Sequence, residues 1–302
     1  MEYPVLTDTL ETANQRFLHS MHGRKKVPID EAKKIKAQQK AKLLKAEYEK
    51  VMSSINNPEM ITEVVKSGTF ILDTIHDFAT LWNMRKTEFL NNPTLEQMEI
   101  ELKISQRVLT SNPKSYWAFH HRRWIFEYMN VTDLQKEVDL CGMLIDSDSR
   151  NFHAWRHRRW AVLRCGNMFD SELEMTQKLI SRDFSNYSAW HYRSQLPSLI
   201  NYEEELDMAK SAIWTDPRDQ SAWFYYRWLI NRPVISANHS LLQEEASMLE
   251  ELISEEPSAK YAYLSGIWIQ RKLPECDTEL ISKYKQILNN LDPIRAPYYE
   301  EQ

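Results

Sequence analysis

The stretch SRNFHAWRHRRW, residues 149–160, recurs along the chain and decides its architecture. Related stretches are DFATLWNMR (77–85), PKSYWAFHHRRW (113–124), FSNYSAWHYRS (184–194) and RDQSAWFYYRW (218–228). Each holds one large aromatic residue, here called the anchor, and the five anchors are Trp82, Phe119, Trp155, Trp190 and Trp223. Successive anchors are 37, 36, 35 and 33 residues apart, which is the period of helix-turn-helix repeats.

Each repeat contains the signals of two helices. Apolar residues at helical spacing precede each anchor, as in Leu134, Val138 and Cys141. A polar break such as DSDSRN follows them and is rich in residues that cap helices, so the second helix is predicted to begin at the anchor. The sequence therefore predicts an all-α fold, an α-α superhelix in the form of a right-handed solenoid of helical hairpins.

Two positions flank the anchor at helical spacing, and both are interpreted as packing positions. An arginine follows three residues later in four copies, at Arg85, Arg122, Arg158 and Arg193. We expect this guanidinium to stack on a ring, or to bind carbonyls or acids of the adjoining repeat. A tyrosine or phenylalanine precedes the anchor by three in Tyr116, Phe152 and Tyr187, and is expected to fill the gap between hairpins. The last copy has Tyr226 in the arginine position.

Composition limits the class of protein. The 302 residues are 42% hydrophobic and 27% charged, with no apolar run long enough for a membrane span. Only 5 glycines occur, too few for sheet turns and phosphate-binding loops. The three cysteines, Cys141, Cys165 and Cys276, are far apart, which argues against a disulfide framework and against a metal site in this chain. With no export signal visible, a cytoplasmic protein is expected.

Charge is unevenly distributed along the chain. The net charge is -5, yet residues 24–50 hold ten Lys or Arg against four acids. This segment is predicted to be a solvated or partner-facing helix. It lacks the interleaved aromatic residues of a nucleic-acid-binding arm, so no nucleic-acid partner is expected. Three further helices are predicted at 241–256, 259–272 and 279–291, the last two without an anchor, and they are expected to cap the repeats.

The pattern N-x-[YF]-x-x-W-x-x-R at this period resembles the repeat of protein prenyltransferase α subunits. Within that family, four stretches are most similar to α subunits of Rab geranylgeranyltransferases: MHGRKKV (21–27), SNYSAWHYRS (185–194), DQSAWFYYRWL (219–229) and LDPIRAPY (291–298). The resemblance covers residues 21–302. It implies an N-terminal extension, residues 1–20, before a helical-repeat domain, residues 21–302, with the basic helix, five repeats and the helical cap.

The resemblance also implies a function. Such a chain pairs with a β subunit, which holds a zinc ion and most of the prenyl pocket. The pair transfers geranylgeranyl from geranylgeranyl diphosphate to C-terminal cysteines of Rab GTPases that an escort protein presents, as part of vesicular transport. Two alternatives stay open. One is the α subunit shared by farnesyltransferase and geranylgeranyltransferase type I, which acts on CaaX substrates, and the other is a non-catalytic helical-repeat scaffold.

Four residues match family positions at the active-site cleft. Lys114, in the motif PKSY (113–116), corresponds to a lysine that points toward the diphosphate of the isoprenoid. A cation near a helix N-terminus also suits a phosphate leaving group on physical grounds. Tyr116, together with Phe152 and His153 of the next repeat, matches positions that line the cleft. In this interpretation Lys114 stabilises the departing diphosphate, and the other three residues shape the cleft.

Overall fold

A computed structural model describes residues 31–55, 57–166, 169–196 and 201–302. The predicted N-terminal extension, residues 1–20, lies outside these residues, as does the motif at 21–27. All the regular secondary structure of the described residues is helical, so the prediction of an all-α fold is confirmed. The chain divides into two compact units, and the boundary falls between Ile71 and Leu72.

The first unit contains the basic helix. Helix α1 spans Glu31–Ser54 and packs against α2, Ile61–Ser67, with a 3₁₀ turn at Pro58–Met60 between them. Residues 31–43 of α1 are all exposed, and burial begins near the end of the helix at Val51. The side chains of residues 31–43 are therefore in solvent, as expected from the low number of large apolar residues in this part of the helix. A second 3₁₀ segment, Gly68–Asp73, crosses the boundary between the units.

The second unit is a stack of helical hairpins. Its helices are α3 Ala79–Asn91, α4 Leu95–Ser111, α5 Tyr116–Tyr128, α6 Gln135–Ser147, α7 Phe152–Cys165, α8 Phe169–Arg182, α9 Tyr187–Arg193, α10 Tyr202–Thr215, α11 Gln220–Ile230, α12 Pro233–Ser236, α13 His239–Glu255, α14 Lys260–Gln270, α15 Thr278–Leu291 and α16 Ala296–Glu301. Hairpins form from α4 and α5, α6 and α7, α8 and α9, α10 and α11, and α13 and α14. The second helices of successive hairpins also contact one another, from α3 through α5, α7, α9 and α11 to α14.

Each second helix begins three residues before its anchor, not at the anchor as predicted. The polar break supplies the N-cap, because Asn151 accepts a hydrogen bond from the backbone N–H of Ala154 at 3.1 Å. The side chains of Ser115, Asn186 and Asp219 likewise cap α5, α9 and α11. Helix α7 ends at Gly166, whose φ of 76° is a left-handed conformation that glycine adopts without strain.

The anchors are buried, and four of the five share one hydrogen bond. The indole N–H of Trp155 donates to the carbonyl of Ser149, six residues earlier, at 2.9 Å. Trp82, Trp190 and Trp223 make the equivalent bond to His76, Phe184 and Pro217. Each anchor ring also packs against the next repeat, as Trp155 does against Tyr192 with ring centroids 4.9 Å apart. The anchor ring thus fixes its own turn and contacts the following hairpin.

The stack contains one anchor more than the sequence analysis found. The hydroxyl of Tyr263, in α14, donates to the carbonyl of Pro257, again six residues earlier, at 3.1 Å. Tyr263 is 3% exposed and follows the fully buried Ala262, just as Trp155, Trp190 and Trp223 follow buried alanines. The expectation that helix 259–272 has no anchor is therefore wrong. The phenol of Tyr263 takes the place of the indole of the other anchors, because both side chains have a large ring with one polar atom.

A buried glutamate in the first helix of each hairpin joins that hairpin to the helix before it. Glu137 of α6 accepts hydrogen bonds from the guanidinium of Arg122, in the preceding hairpin, and from Nε2 of His157 in its own hairpin. Equivalent sets are Glu101 with Arg85 and His121, Glu172 with Arg158 and Tyr192, and Glu205 with Arg193 and Tyr225. These sets are here called the glutamate ladder.

The ladder satisfies both charges of each ion pair inside the protein. Burial by itself raises the pKa of Glu137, but the hydrogen bonds from Arg122 and His157 outweigh it and lower that pKa to about 2. The arginines also donate to main-chain carbonyls, as Arg158 does to Val138 at 2.8 Å. The guanidinium thus binds an acid of the adjoining hairpin and a carbonyl of its own hairpin.

The tyrosine in the last repeat has its own place in the ladder. The hydroxyl of Tyr226 donates to Glu245 of α13 at 2.8 Å, and Lys210 supplies the cation at 3.1 Å from the same carboxylate. Arg227, one residue later, stacks its guanidinium 3.4 Å from the centroid of the Trp268 ring. In the other repeats one arginine provides both the hydrogen bonds and the positive charge. Here Tyr226 provides the hydrogen bond and Lys210 provides the charge.

Candidate functional site

The aromatic residues three positions before the anchors are exposed. Tyr116 is 45% exposed, Phe152 66% and Tyr187 47%. The expectation that they fill the gap between hairpins is therefore wrong. Each is the first residue of its second helix, so the anchor one turn later enters the core while the earlier ring projects outward. With Phe224, which meets Tyr187 edge to face at 5.8 Å, they form a row here called the aromatic edge.

An open groove of about 390 Å³ lies between α5 and α7. Two of the four cleft residues predicted from the sequence, Tyr116 and His153, line this groove. The centroids of their rings are 6.4 Å apart. The rest of the lining consists of Phe119, His120, Arg123, Trp124, Glu127, Arg156, His157 and Trp160. Phe152 is outside the lining but contacts His153 edge to face at 5.6 Å.

Cations surround the two exposed-face histidines of this groove. Burial lowers the pKa of His120, and the charges of Lys86 and Arg123 lower it further. Burial likewise lowers the pKa of His153, where nearby Asp77 opposes the shift. Lys86 lies 3.1 Å from Nδ1 of His120 and over the ring of Trp124. The groove therefore combines positive charge with aromatic walls, a surface suited to acidic or phosphorylated groups.

Arg156 adds a charge without a counterion. Among the described residues, no carboxylate lies within ion-pair distance of it. Arg123, by contrast, pairs with Glu127 at 2.8 Å, and Glu127 also accepts from the indole of Trp160. Glu127 is the single acid in the described lining, so the balance of charge in the groove is positive.

Lys114 lies in the turn before α5, outside the groove lining. Its ammonium is 2.9 Å from Oδ2 of Asp148, at the end of α6, and its side chain is 63% exposed. Burial is the main cause of the lowered pKa of His153, and the charge of Lys114 lowers that pKa slightly further. The structure thus brings Lys114, Tyr116, Phe152 and His153 to neighbouring parts of two successive repeats.

The groove's cations and outer tryptophans were not predicted from the sequence. These residues follow their anchors by one, four or five positions, as His120 and Arg123 follow Phe119 and as Trp160 follows Trp155. Residues 116, 120, 123 and 127 share one helix face at spacings of three and four. A search for polar residues on the face that holds Tyr116 finds this set.

Two kinds of feature are absent from the described ranges, 31–55, 57–166, 169–196 and 201–302. No three side chains among His, Cys, Asp and Glu come together there in a way that fits a metal ion. None of the helices built from those residues is both long and apolar enough to cross a membrane.

Comparison with known proteins identifies the repeats. Residues 98–129, 134–165, 169–198 and 202–233 match the protein prenyltransferase alpha subunit repeat. Over 307 aligned residues the chain is 31% identical to the geranylgeranyl transferase type-2 subunit alpha of Dictyostelium discoideum, covering 93% of this chain and 98% of that protein. The chain belongs to the protein prenyltransferase alpha subunit family.

Other members of the prenyltransferase alpha subunit family match over shorter stretches. The type-2 alpha subunits of Rattus norvegicus and Mus musculus are 36% and 37% identical over 187 residues, which is 58% of this chain. The match spans 33% of the length of these mammalian relatives. Among solved structures, Candida albicans protein geranylgeranyltransferase-I complexed with GGPP has the same fold, with a TM-score of 0.59 and 20% identity over 93% of this chain and 94% of that one.

The four matched repeats coincide with the hairpins that carry the glutamate ladder. Each matched range contains one first helix, with its glutamate, and one second helix, with its anchor. The copy at 77–85 and the hairpin of α13 and α14 lie outside the matched ranges. Trp82 and Tyr263 nevertheless make the anchor hydrogen bond there, so the stack extends beyond the matched repeats at both ends.

Proposed function

We propose that this chain is the α subunit of a zinc-dependent Rab geranylgeranyltransferase. A β subunit completes the enzyme, holds the zinc ion and most of the prenyl pocket, and an escort protein presents Rab GTPases in the cytoplasm. The observation that carries the proposal is the match with the Dictyostelium protein, which covers 93% of this chain and 98% of that protein. That protein is named as a geranylgeranyl transferase type-2 subunit alpha. The zinc is assigned to the β subunit, as the resemblance to the family implies.

In this proposal the chain contributes to diphosphate departure. When geranylgeranyl passes from its diphosphate to a cysteine thiolate, negative charge accumulates on the leaving diphosphate. The exposed ammonium of Lys114 is a cation with three N–H donors, which suits that charge. Tyr116, Phe152 and His153 stand beside it at the start of α5 and α7 and form the wall of the cleft on this subunit.

The β subunit is proposed to cover the groove and the aromatic edge. A stable heterodimer buries about 2,000 Å² or more, with aromatic residues and arginine enriched at its centre. The exposed rings of Tyr116, Phe152, Tyr187 and Phe224, beside the unpaired Arg156, have that composition. This surface runs across the second helices of successive hairpins, so one partner contacts several repeats.

The test pairs this chain with two kinds of β subunit from the same organism. We expect the type-2 β subunit to give transfer of geranylgeranyl to a Rab GTPase only when the escort protein is present. Transfer to a CaaX peptide with a farnesyltransferase β subunit, without an escort, would instead identify the shared α subunit. A chain inactive with every β subunit would be a scaffold, and the proposal would fail.

The role of Lys114 is tested in the same assay. Lys114→Ala is expected to lower kcat by a factor of about 10² while the heterodimer still assembles, by analogy with removal of one donor to a developing anion. Lys136→Ala is the matched control, because Lys136 is an exposed lysine on a first helix, away from the groove lining. Unchanged turnover in Lys114→Ala would remove Lys114 from the mechanism.

A further inference from the structure

The carboxylate of Asp148 makes a different contact with each of its two oxygens. Oδ1 accepts a hydrogen bond from the backbone N–H of Arg150 at 3.0 Å and so closes the turn after α6. Oδ2 lies 2.9 Å from the ammonium of Lys114, in the preceding repeat. One side chain therefore fixes the local turn and reaches across to the cation of the neighbouring hairpin.

The equivalent residues of other repeats separate these two roles. Asn112, Asp183 and Asp216 also end a first helix, and each accepts from the backbone N–H two residues later, at 3.2, 3.0 and 3.0 Å. Among these four residues, all in the described part of the chain, Asp148 is the one whose second oxygen meets a lysine. The turn bond is thus general, and the contact with Lys114 is particular to Asp148.

We propose that Asp148 is a positioning residue that holds the ammonium of Lys114 in place for the departing diphosphate. This inference rests on the proposed function and adds a residue to it. A free lysine side chain samples many rotamers, and it loses this freedom when it binds an anion. The Asp148 contact restricts the ammonium beforehand and uses one of its three N–H donors, leaving two for phosphate oxygens.

This arrangement predicts opposite effects on binding and on turnover. Asp148 is an anion close to the place where a diphosphate engages Lys114, so its charge opposes substrate binding in the ground state. Removing the charge is expected to leave the affinity for geranylgeranyl diphosphate equal or slightly stronger. The loss of a fixed ammonium is expected to slow the chemical step, where charge on the leaving group is greatest.

One substitution of Asp148 removes its charge and keeps its hydrogen bond to the turn after α6. Asp148→Asn retains an oxygen for the N–H of Arg150, as Asn112 shows at the same position of the preceding repeat. Asp216→Asn is the matched control, because Asp216 makes the same turn bond to Arg218 without a lysine partner. Four variants are prepared as complexes with the β subunit. They are Asp148→Asn, Asp216→Asn, Lys114→Ala and the double variant Lys114→Ala/Asp148→Asn.

Single-turnover rates and the Kd for geranylgeranyl diphosphate are then measured for each complex. We expect Asp148→Asn to lower the rate about tenfold, a change of 1.4 kcal/mol, with no weaker binding, and Asp216→Asn to match the parent. The double variant should be no slower than Lys114→Ala, because Asp148 acts through that lysine. A normal rate in Asp148→Asn, the same loss in Asp216→Asn, or a further loss in the double variant would overturn the inference. An unchanged rate in Lys114→Ala would instead defeat the proposed role of Lys114.

Discussion

Arg158 binds Glu172 of the following hairpin through two parallel hydrogen bonds, from Nε at 2.7 Å and from Nη2 at 2.6 Å. Both side chains are buried, with 8% and 0% of the side chain exposed. The hydroxyl of Tyr192 donates to the same carboxylate at 2.7 Å. Because this arrangement recurs from repeat to repeat, the hairpins are joined by a continuous series of buried ion pairs as well as by apolar packing.

Neutralising one rung of the ladder is expected to destabilise the fold strongly. Glu172→Gln leaves the buried guanidinium of Arg158 without a counterion, which costs about 3–5 kcal/mol. The exposed pair of Arg123 and Glu127 provides the comparison, and Glu127→Gln should cost about 0–1 kcal/mol. Urea unfolding followed by circular dichroism measures both. Equal, small losses in the two variants would show that the ladder does not stabilise the stack.

The free energy of unfolding is expected to decrease in two stages as the pH is lowered. Burial lowers the pKa of His121 and His157, so the unfolded chain binds more protons than the folded chain once the pH drops below about 6.5. The second stage comes from Glu137, whose pKa falls from 4.5 in the unfolded chain to about 2, so its contribution is lost between those values. Urea midpoints at pH 7.5, 6, 4.5 and 3 measure both stages.

A double substitution isolates the histidine stage. Tyr192 and Tyr225 occupy the same ladder position in later repeats and donate to their glutamates without titrating in this range. His121→Tyr/His157→Tyr should therefore reduce the loss of stability between pH 7.5 and 6 and leave the loss below pH 4.5. An unchanged dependence in the upper range would mean that other groups cause it.

Tyr263 is expected to respond to substitution as an anchor does. Tyr263→Phe removes the hydrogen bond to Pro257 but keeps the ring, and should cost about 1 kcal/mol. Tyr263→Ala also leaves a cavity in the cluster with Ile267 and Tyr284, and should cost about 3–5 kcal/mol. Trp190→Ala, at an established anchor, is the comparison for thermal unfolding. A mild effect of Tyr263→Ala would place that residue outside the anchor series.

Much of the fold was predictable because the anchors repeat at the period of a helical hairpin. The glutamate ladder was missed, although its signal is present: Glu137 and Glu172 each precede an anchor by 18 residues, as do Glu101, Glu205 and Glu245. An acid on a helix face is usually solvated, so spacing within one helix does not single it out. Its burial depends on an arginine from another hairpin, which only the assembled stack brings near.

The candidate site was less predictable than the fold. Lys114, Tyr116, Phe152 and His153 were proposed from family resemblance. The structure places Lys114 in the turn before α5 and the other three in the first turns of α5 and α7. The cation set around His120 was missed because its members come from three different repeats. Asp148 was missed because its role in the turn repeats along the chain, while its contact with Lys114 depends on the packing of two hairpins.

The central claim is that this chain works as one subunit of a heterodimer. Co-expression with the type-2 β subunit, purification through a tag on this chain and native mass spectrometry with metal analysis test it most directly. We expect a one-to-one complex with one zinc ion, and the zinc should remain with the β subunit when the chains are separated. A zinc-free monomer or homo-oligomer, with no β subunit bound, would contradict the account.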